Sequence, residues 1–134
     1  MTQAPGIDDG LVSIVDDDLS VGLSTRRLIR SFGFPAEAFA SAETFLDSDR
    51  AAMTKCLILD VRMPGMDGLA LQRRLGELGW EIPIVFLTGQ ASDEEERRAL
   101  AAGAVAFLRK PVGRDDLLQV VRQVLTKSGG GKTP

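Results

Sequence analysis

The chain has 134 residues, 44% of them hydrophobic and 26% charged, with a formal net charge of −3, which fits one domain with an ordinary core and excludes two. One cysteine, no His and no Tyr exclude an internal disulfide, a His-based triad, most zinc sites and a phosphohistidine relay within the chain. The acidic balance argues against direct nucleic-acid binding, no apolar run reaches the length of a membrane span, and Met1 to Gly10 carries two Asp and no basic residue, unlike a secretory signal.

In chain order, short β-like runs alternate with helical patterns five times. Residues 1–10 read as a disordered lead. The first strand is Leu11 to Val15, ending on Asp16, Asp17 and Asp18. A helix follows over Leu19 to Phe32, with Val21, Leu28, Ile29 and Phe32 on one side and Gly33 as its stop. A weaker strand, Ala36 to Phe39, leads through Ser41 as N-cap into a short helix, Ala42 to Leu46, and then a loop, Asp47 to Lys55. Cys56 to Leu59 is a fully apolar strand ending at Asp60, in which the thiol reads as buried and inert.

After Pro64 and Gly65, a third helix carries Leu69, Leu71, Leu75 and Leu78, and Gly79 closes it. Trp80 reads as packing at the sheet's edge. Pro83 to Leu87 is the fourth strand, with Pro tolerable at its first position. Ser92 and Glu95 have capping-box spacing ahead of an acidic first turn, Asp93 to Glu96. Ala104 to Leu108 is the fifth strand, and Asp115 to Leu125 the fifth helix. Ser128 to Thr133 lacks the leading Gly of a phosphate-binding loop, and 127–134 reads as a flexible Gly-rich tail, leaving 11–126 as the domain. Repeated βα units with nearly continuous apolar strands predict an α/β parallel sheet covered by helices on both faces.

In such a sheet the site lies beyond the carboxyl ends of the strands. Asp16 and Asp17, Asp60, Thr88 and Lys110 fall there, scattered in sequence but convergent in space. Two carboxylates about 4 Å apart repel by roughly 4 kcal/mol at an effective dielectric of 20, so the cluster implies a bound cation or a raised pKa. Hard oxygen ligands select Mg²⁺ or Mn²⁺. Lys110 supplies positive charge for a phosphoryl oxygen, Thr88 a hydroxyl donor, and a carboxylate can itself be the nucleophile.

The runs Val15-Asp16-Asp17-Asp18, Leu59-Asp60-Val61-Arg62-Met63-Pro64-Gly65-Met66-Asp67-Gly68, Leu87-Thr88-Gly89 and Phe107-Leu108-Arg109-Lys110-Pro111 together resemble the CheY-like receiver domains of two-component response regulators. The resemblance covers about Leu11 to Leu125. Its wording is nearest to receivers of the nitrogen-fixation-regulator type, which precede a helix-turn-helix DNA-binding domain. It implies a flavodoxin-like three-layer sandwich with strand order 2-1-3-4-5 and five helices. It also implies Asp60 as phosphoacceptor, and Mg²⁺ held by Asp17, Asp60 and the backbone carbonyl of Arg62, with Asp16 acting through water. Thr88 and Lys110 would hold the phosphoryl oxygens, Phe107 would be the switch aromatic, and Pro111 would follow a cis peptide. Val112 departs from the Phe more usual there.

Partners follow from the same resemblance: a cytoplasmic location, a sensor histidine kinase or phosphotransfer protein, and a weak phosphorylation-dependent homodimer through the fourth helix and fifth strand. No nucleic acid or membrane is expected to be bound directly. The protein would not be an enzyme beyond its own phosphorylation and dephosphorylation. The alternatives are an aspartyl-nucleophile phosphatase, which typically needs a second Asp where this chain has Arg62, and a phosphorylation-independent interaction module, which would have lost one of Asp17, Asp60, Thr88 or Lys110.

Overall fold

The computed structural model describes residues 10–130, with side chains through Thr126. The elements run β1 (Val12–Val15), α1 (Leu19–Ser31), β2 (Ala36–Phe39), α2 (Ala42–Leu46), a single 3₁₀ turn (Ala51–Met53), β3 (Cys56–Leu59), α3 (Gly68–Glu77), β4 (Ile84–Thr88), α4 (Asp93–Ala101), β5 (Ala106–Arg109) and α5 (Arg114–Gly130). The strands form one parallel sheet in the order β2-β1-β3-β4-β5.

Period-two alternation divides the apolar residues between two layers. From β3 and β4, Leu57, Leu59, Ile84 and Phe86 join Phe45, Leu69, Leu71, Leu75 and Ala99 under α2, α3 and α4. Their neighbours Cys56, Ile58, Val85 and Leu87 join Ile29, Leu117, Val121 and Val124 under α1 and α5. Central strands buried on both faces cannot alternate apolar with polar, which is why β3 reads as an unbroken apolar run. Burial pushes the Cys56 thiol up to about 12, as expected of an inert core thiol. Trp80 is half-buried against the α2/α3 layer.

Three buried polar side chains of this core, Ser13, Thr54 and Gln72, are paired. Ser13 Oγ lies 2.7 Å from Thr54 Oγ1, and Thr54 donates to the Arg50 carbonyl at 2.9 Å. Thr54 has one proton, so Ser13 is the donor between the two hydroxyls. Gln72 donates from α3 to the Ala99 carbonyl of α4 at 3.0 Å, joining the two helices.

Several boundaries and faces differ from the sequence reading. The buried stripe of α1 is Gly22, Thr25 and Ile29, while Val21, Leu28 and Phe32 are only partly covered, because small residues let the helix lie close on the sheet. β4 starts at Ile84; Pro83 contributes only its carbonyl, to Leu57 N at 2.9 Å. β5 starts at Ala106, since the Ala104 amide is committed to Ala99 O in closing α4. The backbone of α5 continues to Gly130, so the tail expected from Lys127 begins as helix. The remainder of that tail, 131–134, and the lead over 1–9 lie outside the described residues.

Candidate functional site

The sheet ladders run one residue past the formal strand ends. Asp16 N bonds Phe39 O at 3.1 Å, Asp60 N bonds Val15 O at 3.0 Å, and Lys110 N bonds Thr88 O at 2.8 Å. Extended backbone preserves alternation, so Asp16, Asp60 and Lys110 share the parity of the α1/α5 layer, whereas Thr88, Phe107 and Arg109 share that of the α4 layer. The sheet thus places the two carboxylates and the lysine on one face and Thr88, Phe107 and Arg109 beside them on the other. β1 leads to β2 on one side and has β3 on the other, so Asp16 and Asp60 flank the point where the strand order reverses.

Consecutive Asp16, Asp17 and Asp18 have distinct surroundings. Asp18 caps α1, accepting from Ser20 N and Val21 N at 3.1 and 3.2 Å and from Ser20 Oγ at 2.8 Å; its carboxyl is held below the usual range, first by the Ser20 hydroxyl. Asp17 is exposed. Asp16 is buried, accepts from Asp18 N at 2.9 Å and receives Lys110 Nζ at 2.9 Å. Lys110 Nζ also lies 3.5 Å from Asp60 Oδ2. Asp16, Asp17 and Asp60 each offer an oxygen within 4.8 Å of the others.

One ammonium cannot neutralise three carboxylates, and the consequences are visible. Asp60 Oδ1 is buried with no hydrogen-bond partner, so its lone pairs are uncompensated. Burial raises the Asp16 pKa despite the hydrogen bond from Lys110, and the like charge of Asp60 adds to the shift. For Lys110, burial opposes the charge, but the Asp16 hydrogen bond and the two carboxylate charges outweigh it and raise its pKa. The residues fit a divalent cation: oxygen donors only, excess negative charge, and a buried carboxylate oxygen lacking a partner.

A raised Asp16 pKa means that the folded chain binds this proton more tightly than the unfolded chain. Its contribution to stability is full in acid and is lost as pH rises from the usual carboxylate range through the raised value. Asp16→Asn is therefore expected to raise the Tm at neutral pH in EDTA and to flatten the pH dependence of melting. Superimposable melting profiles for the two proteins would contradict this electrostatic account.

On the opposite parity, Thr88 is buried, and its hydroxyl donates to Gln90 O at 3.1 Å while accepting from Gln90 N at 3.3 Å. Phe107 is half-buried, with its ring centroid 5.5 Å from that of Phe86 and the Arg109 guanidinium 5.5 Å above it. Arg109 also donates to Ala91 O and Glu96, each at 2.8 Å. Arg62, two residues after Asp60, turns its side chain to α4 and makes a two-pronged bond with Glu95 at 2.7 and 2.8 Å. The Lys110–Pro111 peptide is cis.

Several residues that build the site were not singled out from the sequence. Gly68 packs so closely that a Cβ there would lie 2.2 Å from the Asp60 carbonyl oxygen; the Asp67-Gly68 pair, a cap followed by a residue without a side chain, is the only local trace. Gly65 takes φ +74°, with Glu43 of α2 closing over it and accepting Met66 N at 3.0 Å. The Arg62 to Glu95 contact spans 33 positions, and no periodicity announces it.

The fold and site define an open, doubly wound α/β domain with an acidic, lysine-bearing crevice at its topological switch point. The family model described as the response regulator receiver domain matches residues 12–122, and the chain belongs to that family, the receiver module of two-component signalling. It is 43% identical over 117 residues to response regulator protein TmoT of Ectopseudomonas mendocina, covering 87% of this chain and 53% of that protein. It is 33% identical over 119 residues to transcriptional regulatory protein FixJ of Bradyrhizobium diazoefficiens, covering 89% and 58%. The crystal structure of a response regulator receiver protein from Burkholderia phymatum superposes with a TM-score of 0.75 at 43% identity, covering 87% of this chain and 94% of that one. The chain thus spans a little over half the length of the two named regulators. No helix among the described residues is long and apolar enough to cross a membrane.

Proposed function

We propose that the chain is a phosphorylation switch in which Asp60 takes a phosphoryl group from the phosphohistidine of a sensor kinase or phosphotransfer protein. The observation that carries this reading is the buried, partnerless Oδ1 of Asp60 inside a three-carboxylate cluster served by one lysine. An Asp60 oxygen attacks phosphorus, the P–N bond breaks, and the imidazole departs with its electron pair. Asp17, Asp60 and the Arg62 carbonyl would hold Mg²⁺, or Mn²⁺, with Asp16 acting through water; the ion supplies charge neutralisation between carboxylates and phosphoryl oxygens. Lys110 would exchange its bond with Asp16 for a phosphoryl oxygen, and Thr88 its bond with Gln90 for another. Phe107 would then fill the space that Thr88 vacates.

Thr88 and Lys110 flank the α4–β5 segment in sequence, which supports an output through the α4, β5 and α5 face, controlling an attached or separate partner such as a transcription-regulating domain, in the cytoplasm. Leu100 and Val105 on that face are 43% and 51% exposed and suit a weak dimer. Charged side chains of that face are paired within the chain, Arg97 with Glu94 and Arg109 with Glu96 and Asp93. We take 11–126 as the switching unit, with no activity on other substrates and no direct contact with nucleic acid or membrane.

The test is incubation with a small acyl phosphate such as acetyl phosphate and Mg²⁺, read by intact mass. A hydroxylamine-labile phosphoryl adduct is expected, absent when EDTA replaces Mg²⁺. Failure to form it at saturating donor, or formation undiminished by EDTA, would overturn the reading.

A further inference from the structure

We propose that Arg62 is a positioning residue that couples the acidic crevice to the first turn of α4, so that divalent-cation binding and the placement of α4 influence one another. This rests on the cation reading above. The loop leaving Asp60 is held short and stiff: Gly68 N bonds Val61 O at 2.9 Å across its base, and Glu43 takes Met66 N at its far side. Among the described residues, the Arg62–Glu95 ion pair is the only one joining this loop to another element. Both guanidinium prongs are used, a geometry that fixes direction as well as distance.

Glu95 is the more buried partner, its side chain 15% exposed against 51% for Arg62. It also serves the helix: Oε1 accepts Ser92 N at 2.9 Å while Ser92 Oγ accepts Glu95 N at 3.1 Å, completing the capping box. One carboxylate therefore terminates α4 and grips the loop two residues past Asp60. The Ser92 amide, with the Arg62 guanidinium beside it, holds the Glu95 pKa below the usual carboxylate range. On the other side of the same turn, Arg109 of β5 holds Ala91 O and Glu96. The first turn of α4 is bracketed by two arginines, of which only Arg62 belongs to the loop carrying a cation ligand in the reading above. A backbone shift at Arg62 moves the fork, and the fork moves Glu95. By linkage, whatever α4 does to Arg62 returns to the crevice in equal measure.

The test is an amide chemical-shift titration of the full chain with Mg²⁺ alone, without phosphoryl donor. In the wild type, Mg²⁺ is expected to shift amides of Asp16 to Asp18 and, in parallel, those of Ser92 to Glu96. Arg62→Ala keeps the backbone carbonyl, and Glu95→Gln keeps an acceptor for the capping box; both lose the charged fork. In each, the Mg²⁺ response at 92–96 is expected to fall by at least half while that at 16–18 persists, and Mg²⁺ affinity to change by a factor of two or more. A wild-type response confined to 16–18, or an α4 response undiminished in both variants, overturns the coupling and leaves the cation reading standing. Absence of any Mg²⁺ response at 16–18 in the wild type overturns the cation reading, and the coupling with it.

Discussion

Asp60→Asn is expected to lose phosphoryl labelling by acetyl phosphate by more than about 10³-fold while folding normally, as removal of a nucleophile does. The substitution is isosteric, and Asp60 is buried at the end of β3 with its amide in the sheet ladder, so the backbone has no reason to move. What changes is the group with lone pairs to offer. A carboxylate oxygen without a partner becomes either an amide NH₂, which has none to give, or a carbonyl oxygen of far lower nucleophilicity. The same change removes one of three clustered negative charges, so the variant should bind Mg²⁺ more weakly and melt no lower than the wild type in EDTA. Intact mass before and after hydroxylamine checks the first outcome and calorimetry the second. Undiminished, hydroxylamine-labile labelling of the variant would move the phosphoacceptor to another residue.

What the sequence made legible divides along the range of the interactions. β2, α2 and β3 fall where the pattern places them, because their limits are set locally, by Ser41 as a cap and by apolar runs that break on polar residues. The carboxyl-edge residues Asp16, Asp60, Thr88 and Lys110 were legible because a parallel sheet sends every strand's end to the same edge. Their sorting onto two faces follows from alternation: counting by twos from Ile58 reaches Asp60, and from Leu108 reaches Lys110, whereas from Phe86 it reaches Thr88. In α1 hydrophobicity does not mark the contact face. Gly22 and Thr25 are covered by proximity, Leu28 packs only along the border, and Phe32 lies under the Arg114 guanidinium instead. The arginine bracket around α4 was illegible in principle. Glu95 and Glu96 sit in what looks like an ordinary solvated charge run, Asp93 to Arg98, until the fold brings Arg62 and Arg109, 33 and 13 positions away, into contact with them.

Gly68→Ala should be among the most damaging single-methyl changes in the chain, costing about 3 kcal/mol or more, at the upper end of overpacking costs. The new Cβ would stand 2.2 Å from Asp60 O and 3.0 Å from both Asp60 C and Val61 Cα. All three are backbone atoms of the segment that carries the phosphoacceptor in our reading, so no flexible side chain can yield. Relief requires either the start of α3 to withdraw, breaking the Gly68 N to Val61 O bond, or Asp60 to move away from Asp16 and Lys110. Both routes lower stability, and the second also weakens Mg²⁺ binding. The control lies in the same helix: Gly76 has nothing within 4 Å of its would-be Cβ, so Gly76→Ala gains helix propensity at no steric cost and should stabilise by roughly 0.5 kcal/mol. Thermal melts should therefore move in opposite directions for one substitution made eight residues apart, down by roughly 10 °C at position 68 and slightly up at position 76. Equal shifts at the two positions would mean that close approach of α3 to the Asp60 carbonyl is not what places glycine there.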